Sequence, residues 1–570
     1  MSTLAPQTQD PAAQGPAPLE DPLYYLRNFE WVLAWVSHRY EDLLPEPERD
    51  FIQAAQALPG ASRGLLARMV MRKGDLFRPE ALKYPELGDT VSVAEPLRRQ
   101  GWLDTQPILA LEDLFRLVTW NNLKAPLAPW LRDLGLTPST TRKGEALTQL
   151  QALAPEPRTM AGWGLPNQSV WRLEVMPLCD RLRWLFFGNP YQDWSEFVLT
   201  ELGWYQYEPV VFDERARAVH SRTELETYWQ LLECRRQWQE EESPEAVMPR
   251  LPSEPSDNPW LSRHYHRLLF KLGRHWERAG EWGQARALYE TCTYPGARGR
   301  RLRVLERQEA FEAALALATE AQQAPESEAE AQQLERLVPR LRRKLFNEKA
   351  ARAASPEAEQ ISLALPVSDG VEQAVQAHLS QPEAPIYYTE NTLLTGVFGL
   401  LCWEPVFQPV PGAFFHPFQR GPADLYWPEF YQRRADAFDA CLEMLDDGRY
   451  VAQIWRNFRE KWGRQSPFVF WGALDEERLA LALECIPSEH LKLCFRRLLH
   501  DVKANRAGLP DLIQFFPSTR AYRMIEVKGP GDRLQDNQKR WLAFFHRHEM
   551  PVAVCYVTWR ASEQGEEGTE

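Results

Sequence analysis

A chain of 570 residues is too long for one hydrophobic core and is expected to divide into about three or four domains. Its net charge of −13 argues against nonspecific nucleic-acid binding by the molecule as a whole, and its longest apolar stretch, "LLTGVFGLLCW" at 393–403, is too short to span a bilayer. The eight cysteines form no C-x-x-C pair and the eleven histidines no H-E-x-x-H, which excludes a disulfide framework and the common zinc motifs.

Residues 1–22 are rich in Pro, Gln and Ala, with neither a basic n-region nor an apolar h-region. They read as a disordered tail rather than a signal peptide, and the protein is expected to be soluble and intracellular. Residues 23–105 begin with "PLYYLRNFEWVLAWVSHRYEDLL", whose apolar positions fall at helical spacing. Short amphipathic helices then run to a closing "GWLD", which fits a winged-helix-like unit or a small helical packing module equally.

Residues 106–155 predict two helices joined by a turn, with Gly135 as a left-handed C-cap and the hydroxyls of "TPSTTRKGEAL" as N-caps. This pattern resembles the SAP module, which grips duplex backbone. Lys124, Arg142 and Lys143 are its candidate phosphate contacts. Residues 169–240 are aromatic and predicted helical, a helix–helix core. The Pro-rich 243–259 reads as a linker. Within 160–355, "YHRLLFKLGRHWERAGEWGQARALYETC" follows the tetratricopeptide pattern through Trp276, Gly280, Ala285 and Tyr289, and a poorer second unit follows.

Residues 360–560 predict a strand at 361–367, two helices, a helical insertion at 424–500, strands "LPDLIQFF" and "AYRMIEVKG", a helix, and a last strand "PVAVCYVTW". The fold class is therefore multidomain and mainly α, with N-terminal helical modules and a C-terminal α/β core. From His490 to Met550 twelve Lys/Arg stand against six acids, a basic face on an acidic protein. Residues 561–570 form an acidic tail.

The period of a strand puts Glu526 and Lys528 on one face, and a hairpin brings Asp511 beside Glu526. Two adjacent carboxylates repel unless a cation lies between them, and an all-oxygen set suits Mg²⁺ or Mn²⁺. Lys528 would then orient or deprotonate a water and offset charge in the transition state. Glu390, at the start of an otherwise apolar helix, is either an exposed acid favoured by the helix dipole or a third metal-site carboxylate. The plain alternative is an ordinary amphipathic hairpin.

The pieces "TENTLLTGVFGLLCW", "RAGLPDLI", "IEVKGPGDRLQDNQKRWL" and "VCYVT" resemble the VRR-NUC branch of the PD-(D/E)XK nucleases, and more closely the Fanconi-associated nuclease family. That resemblance implies a structure-specific, metal-dependent endonuclease cutting branched DNA near 5′ flaps, with 5′-to-3′ exonuclease activity, in interstrand crosslink repair. It implies a catalytic set of Glu390, Asp511, Glu526 and Lys528, the Val527 carbonyl as a further ligand, and Gln538 supporting the water or a ligand. Arg298, Arg300 and Lys503 are candidates for a 5′-phosphate pocket, or are plain solvated charge. With no cysteine before Cys179, the ubiquitin-binding finger of vertebrate relatives is missing and no ubiquitin partner is expected. The chain resembles a bacterial-type version, acting in the cytoplasm at the nucleoid. Its helical modules argue for a monomer on a flapped, nicked or gapped duplex. The alternatives are a Holliday-junction-type nuclease and a non-catalytic DNA-binding scaffold.

Overall fold

The computed structural model describes residues 21–560, except 154, 190–191, 193, 195–196, 198–204, 240–242, 253–256 and 349–357. The predicted acidic tail, residues 1–20 of the predicted N-terminal tail and most of the boundary near 355 lie outside the described residues. The chain groups into two compact units, 1–205 and 206–570.

The first unit opens with α1 (Tyr24–Tyr40), α2 (Glu46–Ala57) and α3 (Gly60–Val70), followed by β1 (Leu76–Phe77), α4 (Thr90–Arg99) and β2 (Leu103–Asp104). Asp89 caps α4 by accepting the Ser92 N–H. Then come α5 (Leu111–Leu117), α6 (Trp120–Asp133), α7 (Lys143–Gln151), β3 (Trp171–Leu173) and α8 (Met176–Phe187). The three short strands form an antiparallel sheet in the order β1-β3-β2. The aromatic stretch is thus not helical throughout: β3 starts it, and Trp171 and Leu173 face the core across a half-buried Arg172. Residues 106–155 hold three helices, not two, because the chain turns extended at Val118. Gly135 is left-handed (φ 73°) as expected. The hydroxyls do not cap α7: Thr141 donates instead to the Thr137 carbonyl (2.8 Å), and the Glu145 carboxylate accepts the Arg142 N–H (3.4 Å).

The second unit carries α9 (Arg222–Gln239), α10 (Pro244–Val247), α11 (Pro259–Ala279), α12 (Trp282–Thr291), α13 (Ala297–Arg307), α14 (Phe311–Gln323) and α15 (Glu328–Phe346). The expected linker thus contains a helix, α10, whose Val247 is fully buried. Helices α11 and α12 approach so closely at Gly273 that an added Cβ would lie 2.8 Å from the Tyr289 ring. Gly280 ends α11 at φ 83°.

The remaining elements are β4 (Glu359–Leu365), α16 (Val371–Leu379), β5 (Ile386–Tyr388), α17 (Leu393–Leu401), α18 (Trp403–Val406), α19 (Ala435–Asp447), α20 (Arg449–Glu460), α21 (Glu476–Cys485), α22 (Ser488–His500), α23 (Val502–Asn505), β6 (Leu512–Phe516), β7 (Ala521–Lys528), α24 (Asp536–Arg547) and β8 (Val552–Trp559). The sheet order is β4-β8-β7-β6-β5, parallel across β4, β8 and β7 and antiparallel across β7, β6 and β5. Two apolar faces sandwich it. Ile525 and Val527 pack towards Val375 of α16, while Tyr522 and Met524 pack with α17, the 435–500 helices and α24. Strand period two therefore sends Glu526 and Lys528 to the end of the larger core.

Candidate active site

Asp511 lies one residue before β6, not inside it. Register pairs Leu512 with Ile525, so Asp511 reaches the next position on β7. There its carboxylate accepts the Val527 N–H at 2.8 Å. Glu526 is 1 % exposed and Lys528 8 %. The Lys528 ammonium donates to Glu526 Oε1 (2.5 Å) and to the Val527 carbonyl (2.9 Å). Val527 thus ties the three side chains together through its backbone: its N–H holds Asp511 and its C=O holds Lys528.

Burial pushes the Asp511 carboxyl up to about 6, against the pull of the Val527 N–H and Lys528, with the negative charges of Glu390 and Glu372 adding to the rise. Burial and then the Asp511 charge push Glu526 up to about 7, although Lys528 opposes this. One ammonium does not offset so much clustered negative charge.

Glu390 is exposed and stands two residues before Thr392, the N-cap of α17. It follows the short strand β5, which the sequence pattern did not reveal, and the next residue, Asn391, is left-handed (φ 55°). The turn is clamped onto the Asp511 segment twice. The Thr389 N–H donates to the Asp511 carbonyl (2.9 Å), and Asn391 Oδ1 accepts the Leu509 N–H (3.1 Å). The Glu390 carboxylate itself is held by the Tyr388 hydroxyl (2.5 Å) and the Asn391 amide (3.1 Å). That bond, with burial, keeps the Tyr388 hydroxyl protonated. Glu372, in the first turn of α16, is a fourth nearby acid that no sequence motif marks.

Among the described residues, no three His, Cys, Asp or Glu side chains stand together as a ready metal cage. The donor set is narrower: two buried carboxylates with raised pKa values and one carbonyl. Such a set fits a small hard cation that keeps several of its waters. Glu390 could join only by turning from Tyr388.

The other expected residues make no hydrogen bond or ion pair to this cluster among the described residues. Gln538 has a local task, its amide oxygen accepting the Gln535 N–H (2.8 Å) at the start of α24. That helix start is also held from α15, where Arg336 grips the Asp536 carboxylate (2.7 and 2.6 Å). Arg298 is paired with Glu330 (2.6 Å), and Arg300 shares Glu277 (3.2 Å) with Arg303 (3.3 Å). Lys503 is exposed on α23. In the first unit Lys143 donates to the Val118 carbonyl (3.1 Å), Lys124 is half-buried and Arg142 is exposed. All eight cysteines are buried and in no disulfide. Among the described residues no helix is long and apolar enough to cross a membrane.

The VRR-NUC domain family matches residues 445–559, and the FAN1 HTH domain family matches residues 23–104. Strands β4 and β5 and Glu390 precede the first of these. The chain is 49 % identical over 561 residues to a Fanconi-associated nuclease 1 homolog of Pseudomonas aeruginosa, covering 98 % of this chain and all of that protein. It is 24 % identical to the Arabidopsis thaliana homolog, over 94 % of this chain and 67 % of that one. The human Fanconi-associated nuclease 1 matches at 32 % over 176 residues, 30 % of this chain and 17 % of that one. A crystal structure of paFAN1 bound to 2nt 5′ flap DNA with gap superposes with a TM-score of 0.87 at 50 % identity, covering 96 % of this chain and all of that one.

Proposed function

The chain belongs to the Fanconi-associated nuclease family and is a nuclease with a C-terminal VRR-NUC domain, and from that premise we propose that it cuts branched DNA near 5′ flaps through Glu390, Asp511, Glu526 and Lys528. The observation that carries the substrate is the likeness, over 96 % of the chain, to a structure holding 5′ flap DNA with a gap. Family membership brings a general dependence on a divalent metal, here Mg²⁺ or Mn²⁺. Asp511, Glu526 and the Val527 carbonyl would hold it, with Glu390 swinging in from Tyr388. When bound, the ion supplies Lewis-acid stabilisation of phosphate oxygens and lowers the pKa of a water.

The chain's own residues do the rest. The Val527 N–H fixes the Asp511 rotamer, so the carboxylate does not reorganise during reaction. Lys528 carries a proton donor to the mouth of the buried pair, where it can orient a water or steady charge on the phosphate. Resolution of crosslinked DNA, 5′-to-3′ exonuclease action and a cytoplasmic setting accompany this reading.

The test is cleavage of end-labelled 5′-flap, 3′-flap, four-way-junction and plain duplex DNA with Mg²⁺, Mn²⁺ or EDTA. Metal-dependent incision near the 5′-flap junction, lost in Asp511→Ala with DNA binding retained, is expected. A preference for the four-way junction would replace this reading with a junction-resolving one. No cutting of any substrate would leave a binding scaffold.

A further inference from the structure

The face of the sheet that carries Glu526 and Lys528 does not end with them. Strand β8 runs parallel to β7 and pairs Met524 with Val552, Glu526 with Val554 and Lys528 with Tyr556. Register partners in adjacent strands rise from the same face. Burial agrees with this: Met524, Val552 and Val554 belong to the larger core, whereas Cys555 and Val557, on either side of Tyr556, belong to the opposite apolar face. Tyr556 therefore stands beside Lys528, one step beyond the last core residue of β8 on that face, and it is 37 % exposed. Its other register partner, Ser362 of β4, is small and exposed. The remaining tyrosines of this sheet have their hydroxyls engaged, Tyr387 with Glu477 (2.8 Å), Tyr388 with Glu390 (2.5 Å) and Tyr522 with His490 (2.9 Å). Among the described residues the Tyr556 hydroxyl has no such partner.

We propose that Tyr556 is a further substrate-contacting residue of the cleavage reaction, its hydroxyl donating to a non-bridging oxygen of the scissile phosphodiester beside Lys528. The proposal rests on the reading of Asp511, Glu526 and Lys528 as the active site and deepens it. Adjacent strands lie about 4.8 Å apart, so two long side chains at paired positions can converge on the two free oxygens of one phosphate. In an open α/β sheet the ligand lies outside the carboxyl ends of the strands, and β7 ends at Lys528. A phenolic hydroxyl donates without carrying a positive charge. Tyr556 thus adds a donor beside Lys528 without competing for the two carboxylates. Negative charge builds on the phosphate oxygens as the attacking water bonds to phosphorus. A donor already fixed to the sheet therefore counts most in the transition state.

The test is single-turnover cleavage of a 5′-flap duplex with Mn²⁺ by wild type, Tyr556→Phe, Tyr556→Ala and Lys528→Met, with DNA binding measured in EDTA. Tyr556→Phe keeps the ring and should lower the cleavage rate at least about tenfold. Its Kd for the duplex should stay within about threefold, and its thermal midpoint should match wild type. Tyr556→Ala should be slowed to a similar extent. The response to sulfur at the scissile phosphate is a readout that packing alone would not move. The incision position is mapped with wild type, and each non-bridging oxygen there is replaced in turn by sulfur. Sulfur weakens the hydrogen bond at one of them, so the penalty for that isomer should be several-fold smaller in Tyr556→Phe than in wild type. Full activity in Tyr556→Phe, slow cleavage in Tyr556→Ala alone, or identical sulfur penalties in wild type and Tyr556→Phe would overturn the proposal. Cleavage that survives Lys528→Met would instead remove the active-site reading beneath it.

Discussion

Asp511→Asn should stabilise the metal-free protein at alkaline pH. The Asp511 carboxyl rises from 3.8 to about 6, chiefly through burial. A tenfold change in proton affinity is worth about 1.36 kcal/mol, so ionised Asp511 costs the fold about 3 kcal/mol. The sign is opposite to that of a salt-bridged acid. Below about pH 4 the group is protonated in both states and costs nothing. Between pH 4 and 6 the unfolded chain releases its proton first, and stability falls; above pH 6 the full cost is present. Asparagine removes the charge, and its oxygen can still accept the Val527 N–H that Asp511 accepts at 2.8 Å. Residual structure in the unfolded chain trims the gain to about 2 kcal/mol at pH 8. The same linkage gives about half that gain at pH 5. Scanning calorimetry of the full chain in EDTA reads this as an increase of about 3 °C in the transition of the second unit at pH 8. Equal gains at pH 5 and pH 8, or a variant that melts at or below wild type at pH 8, would refute the reasoning.

Lys528→Met should lower the single-turnover cleavage rate by at least about a hundredfold. Its Kd for flap DNA should stay within about threefold, since phosphate contacts elsewhere supply affinity. Asn391→Ala removes an acceptor for the Leu509 N–H and a residue suited to φ 55°. It should cost about 1–2 kcal/mol in urea unfolding and slow cleavage about tenfold by loosening the Glu390 turn. Gly508→Ala meets both φ 91° and a Cβ placed 2.7 Å from the Asn537 amide, so its Tm should fall by an amount equivalent to about 2–3 kcal/mol.

Glu526 and Lys528 were legible as one face because strand period two acts over a few residues; Asp511 came beside them through the β6–β7 hairpin, although it lies just outside β6. Glu390 was legible as a residue but not in its setting. Strand β5 is three residues long, and the left-handed Asn391 delays the helix to Leu393, so the local apolar pattern overstated the helix. Glu372 carried no local signal, because only sheet order brings the first turn of α16 near the end of β6. The arginines of "GARGRRLRV" looked like free charge. Their partners Glu330 and Glu277 lie on other helices, where a linear reading cannot pair them. The same limit hid β3, which needs β1 and β2 from far earlier in the chain.

Lys528 is at once the counter-charge of the site and the group proposed to orient a water or steady charge on the phosphate, and the two roles exclude one another in time. Its ammonium now holds Glu526 Oε1 and the Val527 carbonyl, the oxygens expected to serve a cation. Were those oxygens to hold a divalent ion, Lys528 would be left free to orient a water or a phosphate oxygen. The repulsion between the two carboxylates at the end of the larger core would favour such an exchange of Lys528 for a cation.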